Sequence, residues 1–170
     1  MSRSDRDPVA QARPLRAWLL PPSACNDGRG SRVAVWGFAL LTVVMTGRSL
    51  VHLLKRDSGV NSIATIVPFA GNPDPDRVIH MYSALWGSQQ LVTATIYAIV
   101  VLRYRNLVPL MWLLFAFEIV LRMGVGGLHP LGPDYFLRTP PGKVGNLPML
   151  LLALSMLGLS LRAERRANAA

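Results

Sequence analysis

LVPLMWLLFAFEIVLRMGV, residues 107–125, carries only two ionisable side chains, Glu118 and Arg122, and they stand one helical turn apart. A run of this length approaches the roughly 20 residues that cross about 30 Å of hydrocarbon. At that depth the backbone meets its own hydrogen-bonding needs as a helix. The i,i+4 spacing lets the carboxylate and the guanidinium face each other. An ionisable group without a partner there is expensive and marks a bundle interior, a pair or a pathway.

Three further blocks read the same way: residues 33–54, 78–102 and 146–161. The last is the shortest, and its uncharged, leucine-rich run 147–161 spans with slight local thinning of the bilayer. Hydrophobic residues make up 51% of the chain and charged residues 16%, gathered in blocks instead of a soluble amphipathic period. The expected fold class is therefore all-α, a four-transmembrane-helix bundle. It comprises a flexible basic arm (1–32), a four-span domain (33–162) and a tail (163–170).

The net charge of +9 suggests nucleic acid at first sight. The cations gather instead in the arm, in the Arg103/Arg105 turn and in the tail with Arg162, Arg165 and Arg166. An even number of spans puts all three on one side, and the positive-inside rule makes that side the cytoplasm of a bacterial cell. The expected partners are the lipid bilayer and a membrane protein or further copies of the chain, with no nucleic acid. The arm's arginines read as a topogenic tail or as contacts to anionic headgroups. Cys25 is the sole cysteine, so a CxxC redox pair and an internal disulfide are both excluded. Residues 15–20 are too short for a signal-peptide core and include Arg16, which leaves the first span as the insertion signal.

Between spans one and two, an apolar island at 63–70, interrupted by Pro68, is too short to cross and is expected in the interface or against the bundle mouth. The following Asn72-Pro73-Asp74-Pro75-Asp76 supplies an N-cap, Asp74 or Asp76. Arg103–Asn106 forms a tight turn that makes the second and third helices antiparallel neighbours and the expected heart of the bundle. Residues 126–145 are rich in Gly and Pro and are expected to be punctuated rather than helical.

At about 1.5 Å per residue, Glu118, Gln89 and Gln90 share a layer near the midplane. Arg48 and Arg122 lie about one turn beyond it. The structural account has Glu118 neutralising Arg122, and reaching Arg48 across the bundle, with Gln89 or Gln90 completing the hydrogen bonds. The functional account is a polar cavity in which Glu118 carries a proton or binds a cation while the arginines meet an anion. His52, His80 and His129 all fall near the opposite face from the termini, so a three-imidazole zinc or copper site is a candidate. Trp86, Trp112, Tyr82, Tyr97 and Tyr104 read as interfacial anchors, and Gly37, Gly47 and Gly87 as points of close helix approach. There is no GxSxG elbow, HExxH pair or phosphate loop.

The run His80-Met81-Tyr82-Ser83-Ala84-Leu85-Trp86-Gly87, with Leu102-Arg103-Tyr104-Arg105, Glu118, Arg122 and Pro141-Gly142-Lys143-Val144-Gly145-Asn146, resembles small bacterial four-helix membrane proteins catalogued as domains of unknown function. It has a distant DoxX-like character. The resemblance covers residues 33–162 and implies fold and membrane location, with a link to quinone or redox complexes and no assigned catalytic residue.

The functional expectation is an accessory protein or membrane-complex subunit whose polar layer binds a lipid or quinone-like ligand. An oligomeric transporter or channel using Glu118 is one alternative, and a metal-dependent membrane enzyme using the three histidines is the other.

Overall fold

The computed structural model describes residues 19–26 and 30–169, with side chains described as far as residue 163. Among the described residues four long helices carry the chain: α1 (Arg32–Leu54), α2 (Pro75–Arg103), α3 (Val108–Leu128) and α4 (Pro141–Ala169). Single 3-10 turns at Arg105–Leu107 and Pro133–Tyr135 lie in the connections before α3 and α4. All four helices are long and apolar enough to cross a membrane.

The helix ends follow local chemistry. Ser31 caps α1, its hydroxyl accepting from the Ala34 N–H at 3.5 Å. Asp74 caps α2 by accepting from the Asp76 N–H at 3.0 Å, and Pro75 stands in the first turn, where its missing N–H costs nothing. Two expectations change. α3 continues through Gly124, Gly126 and Gly127 to Leu128, and α4 begins at Pro141 instead of 146, so only 129–140 forms the second connection. Glycine inside a helix costs only about 1 kcal/mol relative to alanine, and Pro141 sits at the helix start, where proline is tolerated. α4 is consequently as long a helix as α2, 29 residues, and its apolar span, Pro141–Ala163, at 23 residues equals that of α1.

The packing also departs from expectation. α1 packs along α2 and α3 along α4, whereas α2 and α3, though joined by the tight turn, touch sparsely. α1 additionally reaches α3 and α4, which makes it the hub in place of the α2/α3 pair. Its buried face explains this: Ala34, Phe38, Leu41, Met45, Ser49 and His52 recur at alternating three- and four-residue spacing and form a continuous seam. Phe38 lies at its centre, 4.9 Å from the Tyr97 ring and 5.4 Å, edge-on, from Trp112. The Trp112 indole N–H donates to the Ala34 carbonyl at 3.1 Å. Trp112 and Tyr97 are thus buried core residues, not interfacial anchors. The α1 carbonyl gives the indole a partner inside the bundle.

At the loop end of the bundle, α1 and α2 meet at Gly87. A Cβ there would stand 2.6 Å from the His52 Cβ and 2.9 Å from both the His52 carbonyl carbon and the Leu53 nitrogen. Only a residue without a side chain admits this approach. The two connections at the same end join each other in a short antiparallel bridge between Ile66 and Phe136. The Val67 N–H donates to the Tyr135 carbonyl at 3.1 Å and the Leu137 N–H to the Thr65 carbonyl at 2.8 Å. The centre of the apolar island therefore pairs with the second connection. At the basic end, Asn106 receives the Cys25 N–H at 2.9 Å and donates to the Ser23 carbonyl at 2.8 Å. That portion of the arm is pinned to the bundle, while residues 1–18 and 27–29 lie outside the described residues.

Much of the helical surface remains apolar and uncovered. Only 11% of the most apolar window of α4 is buried, a surface suited to acyl chains or another apolar partner. Gly87→Ala forces the α1/α2 crossing apart and is expected to lower stability by about 1–3 kcal/mol. Gly47→Ala, with nothing within 4 Å of the added carbon, should be neutral or mildly stabilising. Thermal unfolding of both variants in the same detergent checks the contrast.

Candidate functional site

The sparse meeting of α2 and α3 leaves a cleft of about 360 Å³ between them, with Met45 of α1 also on its wall. α2 contributes Trp86, Gln89, Gln90, Thr93, Ile96 and Tyr97, and α3 contributes Met111, Leu114 and Glu118. Most of the α2 set recurs at the i, i+3, i+4, i+7 spacing of one helical face. Gln89, Gln90 and Glu118 are thereby brought to one cavity, and its remaining lining is mainly apolar and aromatic.

Hydroxyl groups along the helices satisfy themselves. Thr42, Ser49, Thr93 and Ser160 each donate to the carbonyl four residues earlier, at 2.8, 2.7, 3.2 and 2.9 Å. Gln90 differs. It is 5% exposed, and neither its Nε2 nor its Oε1 finds a hydrogen-bond partner among the described residues. Its amide therefore does not complete the hydrogen bonds of Glu118, contrary to one expectation. The physical reason is its surroundings: Met45, Met111 and Tyr97 occupy the cleft beside it and the helix that carries Glu118 diverges.

Glu118 pairs with Arg122 along α3, Oε1 to Nη2 at 3.1 Å, both side chains about one-third exposed or less. Its carboxylate is already engaged, which weakens the case for Glu118 as a free proton or cation carrier. Arg48 makes no ion pair within 4 Å among the described residues. Its guanidinium instead lies 4.9 Å above the Trp86 ring, a cation–π arrangement that stabilises a charge lacking a carboxylate. Trp86 and Glu118, the partners of Arg48 and Arg122, both line the cleft. Two guanidiniums thus accompany one carboxylate around this cleft.

The histidines do not gather. His52 is buried, its Nδ1–H donating to the Ser58 carbonyl at 2.7 Å and its ring edge-on to Trp86 at 5.0 Å. His80 Nε2–H donates to Asn61 Oδ1 at 2.9 Å. His129 is exposed at the end of α3. Among the described residues no three His, Cys, Asp or Glu side chains form a metal-holding group. His52 and His80 are engaged by different partners and His129 is exposed, so the three imidazoles do not converge.

Trp86 was legible only as an anchor, yet it joins the Arg48 stack, the His52 contact and the cleft wall. Its four-residue spacing from Gln90 carried the signal. The turn that receives His52 is tightly built. Ser58 and Gly59 adopt φ of 46° and 73°, and a Cβ on Gly59 would meet the His52 ring at 3.1 Å. Asp57 holds this turn, accepting from the Ser62 N–H at 2.8 Å and the Gly59 N–H at 3.3 Å.

No protein-family model matches the chain, and neither the curated proteins nor the solved structures yield a match.

Desolvation alone would raise the Asp57 carboxyl, but hydrogen bonds from Ser62 and Gly59, with Lys55 nearby, outweigh it and hold the group down at about 2, against an ordinary 3.8. Because the folded value is the lower one, its stabilisation is present above about pH 4 and is lost as pH falls from 3.8 towards about 2. Asp57→Asn should speed amide exchange at Ser62 at neutral pH. With exchange expressed relative to its intrinsic rate at each pH, wild-type protection at Ser62 should fall to that of the variant as the pH drops through the same interval.

Proposed function

We propose that the protein is a small multi-pass membrane protein that binds an apolar ligand with a hydrogen-bonding head, quinone-like or lipidic, in the cleft between α2 and α3. The unpartnered amide of Gln90 is the observation that carries this reading. A buried polar group is ordinarily hydrogen-bonded, and leaving one unmade costs about 1–3 kcal/mol. The neighbouring residues supply an apolar slot with a small number of convergent polar groups, the usual character of a small-molecule site. A ligand carbonyl would accept from Gln90 Nε2, and a ligand hydroxyl would donate to its Oε1. Trp86 and Tyr97 would flank the head, while the open side of the α2/α3 junction would admit the apolar tail. No covalent chemistry is required of these residues, and an accessory role within a larger membrane assembly agrees with the uncovered apolar faces.

The distribution of arginines supports an orientation with both termini in the cytoplasm of a bacterial cell. Cys25 offers a direct check of this orientation. A membrane-impermeant maleimide should label it only after the membrane is opened, and labelling in intact cells would reverse the assignment.

For the ligand itself, Gln90→Leu is the informative change. Substitution removes an unsatisfied amide with little change in volume, so stability should rise by about 1–3 kcal/mol. The same change should abolish binding of an added short-chain benzoquinone or diacylglycerol, read by native mass spectrometry. Equal ligand retention by wild type and Gln90→Leu would remove the cleft from consideration.

A further inference from the structure

A second groove, of about 320 Å³, lies at the opposite end of the bundle, where α1 begins and the chain leaves α2. Arg32, Val35, Trp36 and Ala39 line it from α1, and Val101 and Arg105 face them from the end of α2 and the turn beyond. We propose that this groove binds the headgroup of an anionic phospholipid, with its acyl chains running down the apolar face of α1 and α2. The proposal rests on the four-span reading and is independent of what occupies the α2/α3 cleft.

Three observations support it. First, the two guanidiniums come from separate elements, and neither has a carboxylate within 4 Å among the described residues. The first turn of α1 contains no acidic side chain either. Both arginines are exposed and therefore available to a ligand. Second, Arg105 is pre-positioned: its Nε–H donates to the Val101 carbonyl at 3.0 Å. That bond leaves both terminal nitrogens for a phosphate, and the fork of a guanidinium suits paired phosphate oxygens. Arg32 opens α1, where the positive end of the helix dipole adds to the attraction for an anion.

Third, the groove is amphiphilic in the same direction as a lipid. Trp36 is 74% exposed although it lies within the second turn of an apolar helix. An indole placed there, beside arginines at a helix end, has the character of a headgroup-level residue. Val35, Ala39 and Val101 form an uncharged floor leading away from the guanidiniums. A soluble anion would use only the cationic end, whereas a diacyl phospholipid fits both. Basic pockets between helices near a membrane surface select anionic headgroups for the same reason.

The test uses the full-length chain in a mild detergent, titrated with phosphatidylglycerol, with phosphatidylcholine of the same acyl chains and, separately, with inorganic phosphate. Bound lipid is read by native mass spectrometry. Wild type should retain phosphatidylglycerol over phosphatidylcholine. The pair Arg32→Gln and Arg105→Gln should weaken phosphatidylglycerol retention about thirtyfold, about fivefold for each arginine. The pair Arg32→Lys and Arg105→Lys preserves charge and should keep the preference, which separates lost charge from lost fold. The pair Arg13→Gln and Arg16→Gln removes equal charge from the arm and should leave retention within about twofold. Equal retention of the two lipids would overturn the proposal. So would equal loss in the arm variant, equal loss in the lysine pair, or displacement of phosphatidylglycerol by inorganic phosphate at matched concentration.

Discussion

Gly87 against the backbone of His52 lets α1 and α2 approach until no room is left for a Cβ, and the rest of the loop end is organised around that contact. His52 is held there by the crossing, and the Ser58–Gly59 turn folds over its ring to receive the imidazole N–H. Ser83 of α2 donates to the same Ser58 carbonyl at 2.9 Å, tying the turn to both helices. Trp86, adjacent to Gly87, is presented to His52 on one side and Arg48 on the other. A single side-chain-free position thus sets the geometry of an imidazole, an indole and a guanidinium.

The same crossing has a consequence lower in the bundle. Because α2 is committed to α1, and α3 to α4, the junction between α2 and α3 closes only sparsely. The α2 face that begins at Trp86 and passes through Gln90 to Tyr97 consequently borders a cleft. The hydroxyls of Thr42, Ser49 and Thr93 reach back to the carbonyl four residues earlier and need no external partner. A glutamine amide carries both donors and an acceptor at the end of a longer stem, and neither polar atom of Gln90 finds a partner among the described residues. Buried amides of this kind cost stability, so a ligand that pairs with Gln90 recovers what folding forgoes.

Charge is distributed along the bundle according to the same economy of partners. Glu118 and Arg122 neutralise each other within one helix, a pairing that requires no tertiary structure beyond α3 itself. Arg48 relies on an aromatic face from another helix. Arg32 and Arg105 at the basic end have neither kind of partner among the described residues and flank an apolar groove instead.

Much of the architecture was legible from residue order alone. The four apolar blocks, the Asp74 cap and the i,i+4 pairing of Glu118 with Arg122 are local properties, governed by hydrophobic length, cap chemistry and helical pitch. Counting along the helices put Gln89, Gln90 and Glu118 in one expected layer, and the three line one cleft. Tertiary packing alone decided which helices embrace, because a tight turn between α2 and α3 constrains their ends and not their faces. It placed Trp112 and Tyr97 in the core by providing an Ala34 carbonyl and a Phe38 ring that no pattern along α2 or α3 reveals. It gave His52 and His80 separate partners in the first connection and left His129 exposed, since an expected depth is one coordinate and convergence needs three. The hydrogen-bonding state of Gln90 was also beyond the one-dimensional pattern: whether a buried amide finds a partner depends on neighbours from other helices, and those neighbours are Met45, Met111 and the open side of a cleft.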